Sequence, residues 1–397
     1  MLKILQINVC CNVYSTGKIA EQIGATALKN GWDSYIAYAR GFKPSKSKTI
    51  KIGNSFNVYM HYIENRLFDR EGLSSRIATL KLIKEIKRIQ PDIVQLHNLH
   101  DHYLSYKMLF DFLNKTDINV VWTFHDCWAF TGHCFHFVTK KCERWKSGCY
   151  DCPLRYEYPS TLIDRSKKNY SLKKALFSNS NKLTIVSCSK WMDDFVKKSF
   201  LKDKKSIVIH NGVDLGVFKS KEKYFIKKKD SFDILAVSTV WNKEKGIEDI
   251  YQLRRNLPEN FKITIVGLTE EQIKSLPDGI YGIQRTQNQQ VLVDLYASSD
   301  VFINPTYADT FPTVNLEALA CGTPVITYNT GGSPEALDEN TGIVVEQGDI
   351  KSLTEAIIRM KSKPLSPENC RLRAELLFNK DNCYDEYIKL YENILRS

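Results

Sequence analysis

Apolar residues in the first half of the chain follow two alternating patterns. Short apolar runs are typical of strands buried in a parallel sheet, and segments with apolar residues every three or four positions are typical of amphipathic helices. The predicted strands are Lys3 to Val9, Ser34 to Ala39, Ile93 to Leu96, Asn119 to Phe124, Thr184 to Ser187 and Ser206 to Ile209. Strands that alternate with helices in this way predict a doubly wound α/β domain.

The helices of this half are predicted from their periodicity and their end signals. The first runs from Ile19 to Asn30, after a loop whose Ser15 and Thr16 suit helix entry. A basic helix follows, with its apolar face formed by Leu80, Ile83, Ile86 and Ile89. The segment from Arg165 to Phe177 interleaves lysines with aromatic residues, so it is either a solvated helix or a surface for membrane or lipid phosphate.

The same alternation restarts in the second half. Strands are predicted at Ile234 to Ser238, Lys262 to Val266, Val301 to Ile303 and Pro324 to Thr327. We therefore predict an N-terminal domain at 1–218, a charged linker at 219–231, a C-terminal domain at 232–380 and a last helix at 381–397. That helix carries an apolar stripe at helical spacing, formed by Tyr384, Tyr387, Ile388, Tyr391, Ile394 and Leu395.

Length and composition agree with two domains and narrow the class of protein. A chain of 397 residues can bury two cores, and no apolar run is long enough to cross a bilayer. The apolar start is broken at Gln6 and Asn8, which does not fit a signal peptide, so we expect a cytoplasmic protein with reduced or metal-bound cysteines. The first loop lacks the G-x-G-x-x-G fingerprint, which argues against a nicotinamide-dependent oxidoreductase.

The net charge of +11 is unevenly distributed. Residues 1–220 contain 35 Lys and Arg against 19 Asp and Glu, whereas the remainder is acidic. A basic first half fits an anionic membrane face, a phosphate-bearing acceptor or a merely solvated surface.

A segment of the second half, residues 304–335, concentrates candidate chemistry. Asp309 precedes a predicted helix and Glu317 lies inside it, while Pro312 suits the helix start. The backbone N–H groups of Thr313 and Val314 would then point beyond the strand ends, where open α/β sheets bind anionic ligands.

This segment resembles the donor-site signature of glycosyltransferase family 4. The matching positions are Asp309, Glu317, Ala318, Ala320, Gly322, Pro324 and Val325. The resemblance implies the GT-B fold, with two tandem Rossmann-like domains that face each other across a cleft and a C-terminal helix that crosses back to the first. It also implies a retaining transferase that uses a nucleoside-diphosphate sugar and needs no metal for catalysis. Asp309 and Pro312 depart from the signature, which has Glu and Gly there.

Other family segments match in part. By resemblance, His125 of the His125-Asp126 pair contacts the donor sugar, Asp309 holds sugar hydroxyls and Glu317 accepts the ribose hydroxyls. Lys245 matches a diphosphate-binding lysine, whereas the family's arginine is missing and Lys243 is its possible substitute. Small Gly17 lies in the first loop, and Arg285 and Thr286 lie where the family lines its nucleobase pocket. The acceptor is expected to be a glycan or a lipid-linked glycan.

Cysteines cluster after the His-Asp pair, in a predicted insertion at 127–153. Cys134, Cys142, Cys149 and Cys152 follow the spacing C-x7-C-x6-C-x2-C, which fits either a structural zinc ion or a compact reduced loop. His133 or His136 could replace one ligand. For the three histidines His97, His100 and His102 we expect a strand-end loop rather than a metal site.

Two other functions remain possible from the sequence. A nucleotide-sugar epimerase of GT-B type shares the donor-binding logic, and a basic zinc-knuckle protein could bind nucleic acid. The best motif lies in the acidic half, so we expect no nucleic-acid partner. We expect a hexose-type glycosyltransferase of surface polysaccharide biosynthesis.

Overall fold

The computed structural model describes residues 1–219, 231–286 and 288–397, so most of the predicted linker at 219–231 lies outside the described residues. The chain divides into two compact units. The first contains Met1–His210 and Tyr384–Ser397, and the second contains Asn211–Cys383.

A parallel seven-stranded sheet forms the centre of the first unit. Its strands are β1 (Lys3–Asn8), β2 (Asp33–Tyr38), β3 (Lys48–Lys51), β4 (Ile93–Leu96), β5 (Asn119–Phe124), β6 (Leu183–Ser187) and β7 (Lys205–Val208). The order is β3-β2-β1-β4-β5-β6-β7, so the direction of strand addition reverses between β1 and β4. Leu5 pairs with Val94 across this switch point. Ligands of open α/β sheets bind at the carboxyl ends of strands beside such a reversal.

Helices cover this sheet. They are α1 (Tyr14–Lys29), α2 (Ser55–Phe68), α3 (Arg76–Ile89), α4 (Tyr106–Leu113), α5 (Ser166–Ser178) and α6 (Lys190–Lys198). Helix α1 begins earlier than the predicted Ile19, and within the described residues no side-chain hydrogen bond caps it. Ser15 and Thr16 therefore lie inside its first turn, and the prediction that they cap the helix is wrong.

One predicted helix face is partly wrong. In α3, Leu80 is 50% exposed, whereas Leu82, Ile86 and Ile89 are buried. The helix begins at Arg76, so Ala78 and Leu82 extend the stripe that contacts the sheet. Leu80 lies off that stripe.

The second unit repeats the architecture with a parallel six-stranded sheet. Its strands are β8 (Phe232–Val237), β9 (Phe261–Leu268), β10 (Ile280–Gln284), β11 (Val301–Asn304), β12 (Val325–Tyr328) and β13 (Gly342–Val345). The helices are α7 (Ile247–Asn256), α8 (Glu270–Lys274), α9 (Gln289–Ser298), α10 (Thr313–Ala320), α11 (Ile350–Ser362) and α12 (Pro367–Leu377). The order β10-β9-β8-β11-β12-β13 places a second switch point between β8 and β11.

The last helix, α13 (Lys380–Arg396), packs on the first unit, as the sequence predicts. Its buried tyrosines share a core cluster with Ile4 and Val121. The Tyr391 hydroxyl donates to Gln95 Oε1 at 2.9 Å, and Tyr387 hydrogen-bonds Thr123 at 3.1 Å. These bonds satisfy polar groups that would otherwise be costly to bury.

Candidate active site

In the second unit, the loop after β8 is held against the loop after β11. Gly246 has φ +74°, and a β-carbon there would lie 2.1 Å from the carbonyl oxygen of Pro305. The Tyr307 N–H donates to the carbonyl of Glu244 at 2.7 Å. This contact between backbones requires glycine and fixes the short turn that carries Lys243 and Lys245.

Lys245 and Asp309 belong to two separate sequence motifs, and the structure shows that their side chains form an ion pair. Lys245 Nζ lies 2.7 Å from Asp309 Oδ2 and 3.4 Å from the carbonyl of Ala308. Both side chains remain partly exposed. The Lys243 side chain is exposed. A cation and a carboxylate therefore stand together at the carboxyl end of β11.

The turn at Gly331 and Gly332 packs against the backbone of Asp309 and Thr310. Gly331 has φ +57°, and a β-carbon there would lie 1.6 Å from the Asp309 carbonyl oxygen. The Gly332 N–H donates to the carbonyl of Thr310 at 3.0 Å. The turn at residues 331–332 thus sets the path of the backbone that presents Asp309.

Helix α10 begins directly after this loop. Pro312 is its N-cap residue, with φ −69° and ψ 117°, and among the described residues no side chain caps the helix. Thr313 and Val314 form the first turn and are partly exposed. Their N–H groups and the positive end of the helix dipole favour an anion at this position.

Glu317 lies one turn further along α10. The hydroxyl of buried Tyr296 donates to Glu317 Oε2 at 3.2 Å. Burial and the nearby Glu317 raise the pKa of Tyr296 well above its usual range, so this hydroxyl keeps its proton and orients the carboxylate. Arg285 is exposed after β10, and the Thr286 hydroxyl bonds the Asn288 backbone within a local turn.

In the first unit, two histidines extend from neighbouring strand ends. His97 follows β4 and His125 follows β5, with their rings stacked at 5.3 Å. His97 Nδ1 lies 3.0 Å from His125 Nε2, and His97 Nε2 lies 3.0 Å from Gln6 Oε1. The Gln6 amide nitrogen donates to the Ala20 carbonyl at 2.7 Å, which orients the Gln6 oxygen toward His97.

This chain of hydrogen bonds assigns the tautomers. Gln6 Oε1 can only accept, so His97 Nε2 carries the proton and neutral His97 accepts at Nδ1. His125 must then donate from Nε2, which leaves its lone pair on Nδ1. Burial lowers the pKa of His125 to about 4, and burial together with His125 lowers that of His97. Both rings are therefore neutral at pH 7.

His100 has the opposite electrostatic state. Burial disfavours its cation, but Asp126 Oδ2 lies 2.7 Å from His100 Nε2, and the carboxylate raises the pKa of His100 to about 10. Asp126 also accepts the Trp128 N–H at 2.9 Å. The charged pair anchors the loop after β4 to the loop after β5.

The loop after β4 also contains a carboxylate contact that the sequence did not suggest. His102 pairs with Glu71, which also accepts the His102 N–H at 3.0 Å. Among the described residues, the ligand atoms of His61, Glu71 and His102 form a group within 4.8 Å. His61 Nδ1 already bonds Ser75 Oγ at 2.9 Å, and its Nε2 accepts the Gly72 N–H at 3.1 Å. These contacts give His61 a structural role.

The remaining predicted site residues lie elsewhere in the first unit. Gly17 is buried in the first turn of α1. The four cysteines of the insertion, Cys134, Cys142, Cys149 and Cys152, line one pocket together with His133.

Comparisons with known proteins agree with this architecture. Residues 19–217 match the family described as Glycosyltransferase Family 4, and residues 218–376 match Glycosyl transferases group 1. The chain belongs to glycosyltransferase family 4. This glycosyltransferase is 24% identical to WcaC of Escherichia coli K12, named for colanic acid biosynthesis, over 99% of this chain and 100% of WcaC.

A second relative and a solved structure are also similar to this chain. An Escherichia coli protein named UDP-Gal:alpha-D-GlcNAc-diphosphoundecaprenol alpha-1,3-galactosyltransferase is 27% identical, over 50% of this chain and 58% of the relative. Sucrose-phosphate synthase of Thermosynechococcus elongatus superposes with a TM-score of 0.76 at 16% identity, over 100% of both chains. The predicted GT-B fold is confirmed. Among the described residues, no helix is both long and apolar enough to span a membrane.

Proposed function

We propose that this glycosyltransferase moves a hexose-type sugar from a nucleoside-diphosphate sugar to a glycan or lipid-linked acceptor, in surface polysaccharide biosynthesis and with retention of the anomeric configuration. The observation that carries the proposal is the grouping of Lys245, Asp309, the first turn of α10 and Glu317 beside the switch point of the second unit. The matched families favour transfer over epimerisation and over nucleic-acid binding.

The donor's diphosphate needs positive partners as it leaves. Lys245 supplies an ammonium group, and the N–H groups of Thr313 and Val314 supply preorganised donors. Exposed Lys243 adds a point charge in place of the family's arginine, without the geometry of a guanidinium. We propose that these groups stabilise the leaving group without a metal ion.

The two carboxylates hold hydroxyl groups of the donor. Glu317, oriented by Tyr296, accepts from the ribose, and Asp309 accepts from the sugar. Arg285 and Thr286 contact the nucleobase, and Gly17 allows close approach of a substrate to α1. Neutral His125 hydrogen-bonds a hydroxyl group of the transferred sugar and orients it.

A melting-temperature panel with UDP, GDP and ADP, run in chelator, tests the donor site. A ligand at ~100 times its dissociation constant adds roughly 2.7 kcal/mol, which shifts the melting temperature by a few degrees. We expect one nucleoside diphosphate to stand out and Glu317→Gln to lose most of its shift. The matched control is Glu355→Gln, an exposed carboxylate on α11. The proposal fails if no nucleotide shifts the wild-type protein or if both variants respond like it.

Product analysis tests the reaction itself. Incubation of the responding nucleoside-diphosphate sugar with lipid-diphosphate-linked sugars should give a longer glycan whose new linkage is α. A β linkage would contradict retention, and conversion of the free donor into an epimer would favour epimerisation instead.

A further inference from the structure

The segment between β5 and α5 contains little regular secondary structure. Within residues 125–165, the structure has only three short 3-10 turns, at Trp128–Phe130, Val138–Lys140 and Arg144–Lys146. An aromatic cluster forms its interior, with Phe137 stacked on Trp145 at 4.9 Å. Long segments without regular secondary structure are uncommon in compact domains. A structural metal ion is one means of ordering such a segment, because metal binding is coupled to folding.

Cysteine side chains of this segment line one pocket. Cys134 and Cys149 are buried, and the Cys134 and Cys152 side chains hydrogen-bond each other. The Gly132 N–H donates to Cys149 Sγ at 3.1 Å, a contact that stabilises a thiolate. The described residues include all eleven cysteines, and none of them forms a disulfide.

A buried histidine supplies a nitrogen ligand to the same pocket. His133 is 2% exposed, and its Nδ1 bonds Asp69 Oδ1 at 2.7 Å. Its Nε2 is buried, and among the described residues it has no hydrogen-bond partner. A carboxylate on one ring nitrogen with the other nitrogen toward a metal is the usual arrangement of zinc-bound histidine.

A buried cation lies beside the sulfurs. Lys173 is 1% exposed, donates to the carbonyls of Trp128 at 2.6 Å and Thr131 at 3.1 Å, and lies over the Trp128 ring. Burial lowers the pKa of Lys173 to about 7, and the nearby Cys149, Cys134, Asp126 and Asp69 act in the opposite direction. An ammonium group so deeply buried requires nearby negative charge. Three thiolates around one Zn²⁺ leave a single negative charge, which Lys173 would neutralise.

We propose that Cys134, Cys149, Cys152 and His133 bind one structural zinc ion. Zn²⁺ replaces the three thiol protons, which are released to solvent, and His133 binds as neutral imidazole through Nε2. Cys142 and Cys152 are both only partly buried. Of these two, Cys152 hydrogen-bonds the Cys134 side chain, so we place Cys152 in the ligand set and Cys142 outside it. The sulfur atoms are not yet gathered within 4.8 Å among the described residues, so metal binding draws the side chains together.

Metal content of the purified full chain is the first test. Elemental analysis under reducing conditions should find about one zinc per chain, and Cys149→Ser and His133→Ala should lose it. Cys142→Ser in the same pocket and Cys383→Ser outside it are the matched controls, and both should retain zinc. Retention in His133→Ala with loss in Cys142→Ser would overturn this ligand set in favour of four cysteines.

Cobalt reconstitution keeps the proposal testable if a variant does not fold. Chelator-treated, reduced wild-type protein titrated with Co²⁺ should develop the strong absorption of tetrahedral thiolate coordination, saturate at one equivalent and lose it on addition of Zn²⁺. Only weak octahedral absorption, or no zinc in protein refolded with zinc alone, would overturn the site. This outcome is independent of the donor-site test, because no donor is present.

Discussion

Separation of the ion pair between Lys245 and Asp309 requires little free energy. The side chains are 32% and 26% exposed, and such pairs contribute about 0–1 kcal/mol to stability. If Lys245 binds the diphosphate as proposed, the pair separates without a large penalty and Asp309 becomes available to a sugar hydroxyl.

Replacement of this ammonium should weaken donor binding specifically. A hydrogen bond to a charged group contributes about 1.5–3 kcal/mol, so Lys245→Met should lower nucleoside-diphosphate affinity by about 10-fold to 100-fold. The melting temperature of the ligand-free protein should change little. Calorimetric titration measures the affinity, with exposed Lys351→Met as control. Unchanged affinity would remove Lys245 from the phosphate site.

His97 acts on His125 as a positioning residue. His97→Phe keeps a ring but removes the acceptor for His125 Nε2–H, and it leaves Gln6 Oε1 without its donor. We expect kcat to fall about 5-fold while the donor KM stays within about 2-fold, since one hydrogen bond contributes about 1 kcal/mol. His97→Asn offers an oxygen near the Nδ1 position and should restore part of kcat. Equal loss in both variants would indicate a merely structural role.

The pH dependence of turnover should reflect neutral His125. Its pKa is lowered to about 4, so its active form persists well below the ordinary histidine range. On the acid side, kcat should decline only as pH approaches 4, provided that the protein remains folded by circular dichroism. A decline centred near 6.5 would mean that His125 titrates as an exposed imidazole.

The pair of His100 and Asp126 makes stability pH-dependent in a defined direction. The pKa of His100 is raised to about 10 in the folded protein. The contribution of the pair to folding stability is therefore complete below the unfolded pKa of about 6.5, and it is lost as pH rises through about 10. His100→Gln should therefore lower the melting temperature more at pH 6 than at pH 10. Equal losses at the two pH values would contradict a charged pair.

At the scale of the element, α10 begins without a side-chain cap among the described residues, and the backbone at Pro312 tolerates a second proline after it. Pro312 has ψ 117°, the conformation required before proline, and Thr313 occupies the first helical position, where proline is well accepted. The backbone N–H of Thr313 can thus be deleted without breaking the helix.

Thr313→Pro should separate the anion site from helix stability. We expect nucleoside-diphosphate affinity to fall about 10-fold, with a change in unfolding free energy below about 1 kcal/mol. Thr313→Ala retains the N–H and should bind like the wild-type protein. If Thr313→Pro and Thr313→Ala bind equally, this N–H does not contact phosphate.

At the scale of the whole molecule, positive charge is concentrated in the first unit. Exposed Ile163, Lys167 and Lys168 line one open groove with Phe68 in this unit, and Asp151 and Asp164 also contribute to its lining. Apolar and basic side chains together favour an anionic lipid surface. We propose that the basic first unit contacts such a membrane during transfer to a lipid-linked acceptor.

Vesicle sedimentation tests this contact. The protein should bind vesicles that contain anionic lipid, and binding should weaken at high salt and in the double variant Lys167→Glu, Lys168→Glu. A double variant at exposed Lys351 and Lys361 of the second unit is the matched control. Equal binding to neutral vesicles, or no effect of salt, would contradict an electrostatic membrane surface.

Local patterns sufficed for much of the architecture. Ile93–Leu96 and Asn119–Phe124 have the predicted bounds, because apolar periodicity and flanking turn residues act over a few positions. The motif from Asp309 to Glu317 was likewise readable, since loop and helix are contiguous. The start of α1 was missed because the chain enters that helix at Val13, where no side chain of the described residues caps it.

The sequence by itself determined two α/β domains, the family and the candidate donor residues, because each depends on spacing along the chain. Only the tertiary structure decided which side chains contact the candidate residues and so set their protonation states and orientations. Gln6 and His97 are 91 positions apart, and Lys245 and Asp309 are 64 apart. Such contacts arise where carboxyl ends of adjacent parallel strands meet, and no local pattern encodes which side chains meet there.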